Sequence, residues 1–147
     1  MTNITTRLTR TTAQSYLRSL AYIHNAAGAS FRIDDLCQQC HAVAAALGWW
    51  TAPDGTAAVL NFGERIALMH SELSEALEGD RKGLASDHIP GFSMVEEEFA
   101  DTLIRIFDTA GAMGLRLGEA FAAKMVFNQQ RPDHKPEARE QSGGKKY

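Results

Sequence analysis

The stretch Met69–Glu78, MHSELSEALE, places Glu72 and Glu75 three residues apart inside an apolar repeat. Positions i and i+3 share one face of a helix, so this spacing predicts two carboxylates projecting side by side. The repeat itself, Phe62, Ile66, Met69, Leu73 and Leu77, has the rhythm of a helix packing on a neighbour. Further on, VEEEFADTLIRIFD (Val95–Asp108) offers Glu98 and Asp101 at the same spacing. Its apolar row is Val95, Phe99, Leu103, Ile106 and Ala110, with Thr102 alongside. Two helices of this kind, set antiparallel, would bring both acidic pairs together.

Outward from these runs the chain reads as all-α. A Thr- and Arg-rich start contains no acid before Asp34, and Tyr16, Leu17, Leu20 and Ile23 suggest a helix over Thr12–Ala27. Ser30 is the expected N-cap of a helix over Phe31–Leu47, with Asp34 and Asp35 in its first turn. Its stripe is Ile33, Leu36, Cys37, Cys40, Val43, Ala44 and Leu47. Trp49, Trp50 and the turn Pro53-Asp54-Gly55 connect it to the next helix, from Asn61 or Phe62 to Glu78, which Gly79 is expected to stop. Thr56–Leu60 could be a short strand. A loop spans Asp80–Phe92, and Ser93 with Glu96 forms a capping box opening a helix to about Ala112. A last helix covers Leu117–Gln129 before Pro132 and Pro136. The expected division is an extension over 1–30, a helical domain over 31–131 and a polar tail over 132–147.

Composition narrows the function. A chain of 147 residues with 44% apolar content is long enough for one domain with a core. Fifteen basic against 18 acidic residues, net charge -3, argue against a general nucleic-acid surface. No stretch has membrane-spanning length, and no signal-like apolar segment follows Met1. Cys37 and Cys40 on one helix read as reduced thiols, which makes the cytoplasm the expected compartment. The acid-free, Arg-bearing start leaves an organellar matrix as the alternative.

Four converging carboxylates repel one another and take up protons or cations. Mg²⁺ favours such oxygen ligands and keeps waters that reach substrate phosphates; Mn²⁺ is the natural substitute. Arg105 and Asp108 continue the Glu98/Asp101 face and could orient the ligands or simply form ion pairs. Lys124, Asn128 and Arg131 share one side of the last helix and its exit, where they could meet phosphate oxygens. Phe31, His41, Trp49 and Trp50 are candidates for stacking on a nucleobase, against ordinary packing for the two tryptophans. His88 and His134 could reach phosphates or carboxylates. The Cys37-x-x-Cys40-His41 cluster lacks the second ligand pair that structural zinc requires. A di-iron bundle would need Glu-x-x-His pairs that the chain does not have.

The runs ALMHSELSEALEGDRKG, EEEFADTLIRIFDTAGAMG and AFAAKMVFNQQRPDHK resemble the MazG-like, all-α nucleoside triphosphate pyrophosphohydrolases. The resemblance covers Phe31–Tyr147 and is densest over Ile66–Lys135. It implies a four-helix-bundle-like fold, here with an additional helical or irregular N-terminal extension. It implies Mg²⁺ (or Mn²⁺) on Glu72, Glu75, Glu98 and Asp101 and puts Lys124 and Asn128 at substrate-contact positions; the chemistry of such a site makes Glu75 and Glu98 the expected catalytic acids, Glu75 as the base, with Arg131 adding positive charge near the phosphates. It further implies cleavage of a nucleoside triphosphate, with a deoxynucleoside triphosphate the expected form, between the α and β phosphates, and a homodimer or homotetramer. One departure stands out: Ser71 occupies the place where the commonest family motif has a second adjacent glutamate. The competing reading is a non-catalytic helical interaction or nucleotide-binding protein, with the same acids facing solvent.

Overall fold

The computed structural model describes residues 26–131 and Glu140. Four helices follow in order: α1, Ala26–Ala46; α2, Phe62–Lys82; α3, Met94–Ala112; and α4, Leu117–Gln130. No strand occurs among the described residues. Thr51 and Ala57, and Ala85 and Ser93, form isolated antiparallel bridges, so Thr56–Leu60 contributes one bridge residue rather than a strand. The fold is all-α, as the periodicity requires. No helix among the described residues is long and apolar enough to cross a membrane.

Residues 33–117 form one compact unit, and the described residues on either side of it belong to a second. The first unit carries most of α1, the tryptophan connector, α2 and α3. Asn61 caps α2, its side chain accepting from Glu64 N–H, and Ser93 and Glu96 form the expected reciprocal capping box at α3. Two boundaries move. Ser30 lies inside α1, not at its N-cap, and no acid occupies the first turn of that helix. Gly79 lies inside α2, and Gly83, at φ 63°, ends the helix one turn later. Gly79 is small for a different reason: a Cβ there would stand 2.9 Å from Met94 Cβ. Gly111 likewise sits within α3, where a Cβ would meet the Cys37 carbonyl oxygen and lie 2.8 Å from His41 Cβ. Gly111 thus marks a close approach between two backbones, and Gly79 makes room for the Met94 side chain.

These contacts set the helix directions. Gly79 meets Met94 while Glu72 meets Arg105, so α2 and α3 run antiparallel. Cys37 meets Gly111 while His41 meets Asp108, so α1 is antiparallel to α3 as well. The interior between them is unusual. Its buried apolar residues are small, Cys37, Ala76 and Ala110, and its buried polar residues are Glu72, Glu97, Glu98, Thr102, Asp108 and Thr109.

The expected apolar seams are only partly inside. Phe62, Ile66, Leu73 and Leu77 of α2 are exposed, as are Phe99 and Leu103 of α3. In each helix the exposed row lies one residue beyond the buried row: Leu73 and Leu77 after Glu72 and Ala76, Phe99 and Leu103 after Glu98 and Thr102. One residue is a rotation of about 100°. Because the helices are antiparallel, that rotation turns both rows to the same side. The seam is apolar as expected, but its partner is not the neighbouring helix, which the acids face instead.

Candidate metal and phosphate site

Two helices build the acidic centre. Glu72 comes from the middle of α2, and Glu98 and Asp101 from the first half of α3. One carboxylate oxygen from each lies within 4.8 Å of the others. Glu72 and Glu98 are each only 7% exposed, whereas Asp101 opens to solvent. The i, i+3 spacing places Glu98 and Asp101 together, and antiparallel packing supplies Glu72 from the facing helix. Glu75 is exposed and stands outside this tight group, although its charge is felt at Glu98.

The protonation pattern follows from this crowding. The Glu98 carboxyl is pushed up to about 7, first by burial, then by a hydrogen bond shared with Glu72 and by the charges of Glu75, Glu72 and Asp101. Asp101 is also raised, by the low-dielectric protein behind it and by Glu72, with Arg105 opposing. Arg105 Nε donates to Glu72 Oε1 at 2.6 Å. Arg105 therefore pairs across the helices with a carboxylate of the centre, not with Asp101 or Asp108 on its own helix. The centre is partly neutralised by this guanidinium and by the proton that Glu98 readily holds.

The donor set suits a hard divalent cation. All three groups offer oxygen only, they converge from rigid helices, and their mutual repulsion is what a cation would relieve. His and Cys, which would favour zinc or softer metals, are absent from the group.

A second cluster was not legible as such in the sequence. Buried Asp108 accepts from His41 Nδ1–H at 3.0 Å and from Trp50 Nε1–H at 2.8 Å, and Arg65 Nη1 lies 3.6 Å from its other oxygen. The Arg65 guanidinium sits 4.4 Å above the Trp50 ring, and the His41 ring meets that indole edge-on at 5.0 Å. Asp108 thus ties α1, the connector, α2 and α3 together. His41 and Trp50 are committed to this network. Trp49 is 71% exposed and lines a cavity, while Phe31 belongs to the other unit and is exposed. Arg65 had no motif to announce it; only its i+3 and i+7 steps to Leu68 and Glu72 hinted at the inner face.

The cavity, about 710 Å³, lies in the 33–117 unit. Its apolar wall includes Val43, Leu47, Trp49 and Ile104, and its polar groups include Asn61, Arg65, Arg105, Asp101 and Asp108. Asp101 and Arg105 belong both to this cavity and to the acidic centre, so the two are continuous. His88 does reach a carboxylate: its Nδ1 lies 2.6 Å from Glu97 Oε1, which ties the loop after α2 to the start of α3. That bond holds the His88 ring above its ordinary value and Glu97, which Ser86 also bonds, below its own.

Lys124, Asn128 and Arg131 lie in the second unit and are described there. Lys124 Nζ stands 4.7 Å, and the Arg131 guanidinium 5.9 Å, from the Phe127 ring centre. Asn128 Oδ1 is buried without a hydrogen-bond partner among the described residues. His134 and most of the expected 132–147 tail, like residues 12–25 of the expected first helix, lie outside the described residues.

Comparison with protein-family models, with curated proteins and with solved structures returned no match.

Proposed function

We propose that this chain is a Mg²⁺-dependent nucleoside triphosphate pyrophosphohydrolase of MazG-like type, cleaving its substrate between the α and β phosphates. The observation that carries the reading is the convergence of Glu72, Glu98 and Asp101 at the end of a cavity large enough for a nucleoside. The resemblance of the acidic runs to that family supplies the reaction. Glu72, Glu98 and Asp101 would hold the ion, with Glu75 drawn in as a fourth ligand or kept as the base. When bound, Mg²⁺ supplies charge neutralisation for the phosphates and a more acidic water.

The chain's own residues account for the rest. Burial keeps Glu72 and Glu98 out of bulk water, so each charge they meet is felt strongly. Exposed Glu75 is close enough for its charge to act on Glu98, and its exposure leaves it open to a water whose proton it could accept. Arg65, 4.4 Å over the Trp50 ring and paired with Asp108, puts a guanidinium in the cavity wall. Trp49 and the aliphatic wall offer surface to a base. Lys124, Asn128 and Arg131 stay proposed phosphate contacts on the strength of the sequence alone.

We further propose a homo-oligomer, supported by the apolar side that α2 and α3 share. A contiguous patch of this kind is uncommon on a monomer, and a second copy presents the same apolar face.

The test is a panel of nucleoside and deoxynucleoside triphosphates with Mg²⁺, scored for pyrophosphate against orthophosphate. Pyrophosphate is expected, with at least a hundredfold loss in Glu98→Gln. Orthophosphate as first product, or an unchanged rate in Glu98→Gln, would remove the assignment. The non-catalytic reading predicts neither product.

A further inference from the structure

Arg105 occupies an odd place for a residue beside a cation site. Its Nε donates to Glu72 Oε1 at 2.6 Å, so a permanent positive charge already sits on one of the three converging carboxylates. Glu72 is buried, and Arg105 is only partly so. A divalent ion held by Glu72, Glu98 and Asp101 would stand within a few ångströms of that guanidinium. Two cations so close repel, and low dielectric strengthens the repulsion. Glu72 keeps its other oxygen for an ion, so the contest is one of charge and not of lone pairs. Binding of the ion and the Arg105–Glu72 bond are therefore in competition.

The released guanidinium has somewhere to go. Arg105 and Asp101 both line the 710 Å³ cavity. The other arginine there, Arg65, already lies over Trp50 and 3.6 Å from Asp108. A planar fork with several donors, set loose at the mouth of a cavity next to a cation, matches the oxygens of a polyphosphate.

Resting on the metal reading above, we propose that Arg105 is a latch: it closes on Glu72 in the empty protein, is displaced by the divalent ion, and then grips the polyphosphate of the ligand. In the empty protein it stands in for the ion and limits repulsion between the acids. In the loaded protein it couples the two ligands, because the ion frees the group that the phosphates need. Ion and polyphosphate should then bind with positive cooperativity. A group that merely orients Glu72 for the ion makes the opposite forecast, since its loss weakens ion binding.

The experiment is calorimetric titration of Mg²⁺, and separately of inorganic tripolyphosphate with Mg²⁺ present, into the full chain and into Arg105→Gln and Arg105→Lys. The latch predicts roughly tenfold tighter Mg²⁺ in Arg105→Gln, little change in Arg105→Lys, and at least tenfold weaker tripolyphosphate in Arg105→Gln. Weaker or unchanged Mg²⁺ binding in Arg105→Gln would overturn it while leaving the metal site intact. Failure of the unaltered chain to bind Mg²⁺ at all would overturn the metal reading and the latch together. If Arg105→Gln does not fold, the unaltered protein decides: the Arg105 Nε–H resonance should lose its protection from exchange as Mg²⁺ binds. A resonance that stays protected at saturating Mg²⁺ contradicts the latch.

Discussion

Glu98 is the residue on which the electrostatics of the centre turn. Its carboxyl is raised to about 7 in the folded chain, against about 4.5 when unfolded. Between those values the folded state holds a proton that the unfolded state has released. Stability of the ion-free protein should therefore fall as pH rises from about 4.5 through about 7, and change little from this source below that window. Above it, Glu98 is charged beside Glu72 and Asp101, and a divalent ion has most to offer. Melting curves with and without Mg²⁺ should show a larger rise in Tm at pH 8 than at pH 5.5. An equal rise at both would mean that Glu98 is not where the ion acts. The i, i+3 spacing made Glu98 and Asp101 visible in the sequence. It gave equal weight to Glu75, because spacing within one helix does not say which of two neighbours faces the partner helix.

Helix pairs in this chain come close through single glycines, and here a sequence reading is weakest. A glycine near the end of an apolar repeat looks like a stop signal, as Gly79 does. In the structure α2 continues through it because the C-terminal role falls to Gly83, while Gly79 admits Met94. Nothing local distinguishes the two; the difference lies in a contact with a residue fifteen positions away. Gly111 is the stricter case, since an added Cβ would strike the Cys37 carbonyl oxygen, which cannot rotate aside. Gly111→Ala should cost about 2–3 kcal/mol, mostly from separating α1 and α3. Gly79→Ala should cost less, because part of the overlap is with the flexible Met94 side chain and alanine favours the helix by about 1 kcal/mol. Urea unfolding of both variants checks the order. By contrast the Ser93/Glu96 capping box, which depends only on residues three apart, was legible in full.

At the scale of the molecule, the amphipathic runs identified the all-α class, since periodicity near 3.6 shows without knowledge of the partner. They could not reveal that α2 and α3 each carry two useful faces. The acid-bearing faces meet each other, and Phe62, Ile66, Leu73, Leu77, Phe99 and Leu103 stay outside. Sequence alone favoured those large residues as core because burial of apolar area is the usual driving force. The Asp108 network was hidden for a related reason: it joins His41, Trp50, Arg65 and Asp108 over separations of up to 67 residues. If a second copy covers the apolar side, light scattering at micromolar concentration should give at least twice the 16.1 kDa chain mass. Leu73→Asp with Phe99→Asp should shift it toward monomer. A monomeric unaltered protein would count against the oligomer and leave the acidic centre untouched.

The proposed function stands or falls on whether carboxylates from α2 and α3 hold one shared divalent ion. Its most direct test is electron paramagnetic resonance of Mn²⁺ titrated into the protein, alone and after Glu98→Gln with Asp101→Asn. The unaltered chain should quench the free-ion signal with saturable, Mg²⁺-competed binding, and the double variant should leave that signal unquenched. Equal quenching by both proteins, or by neither, would contradict the account.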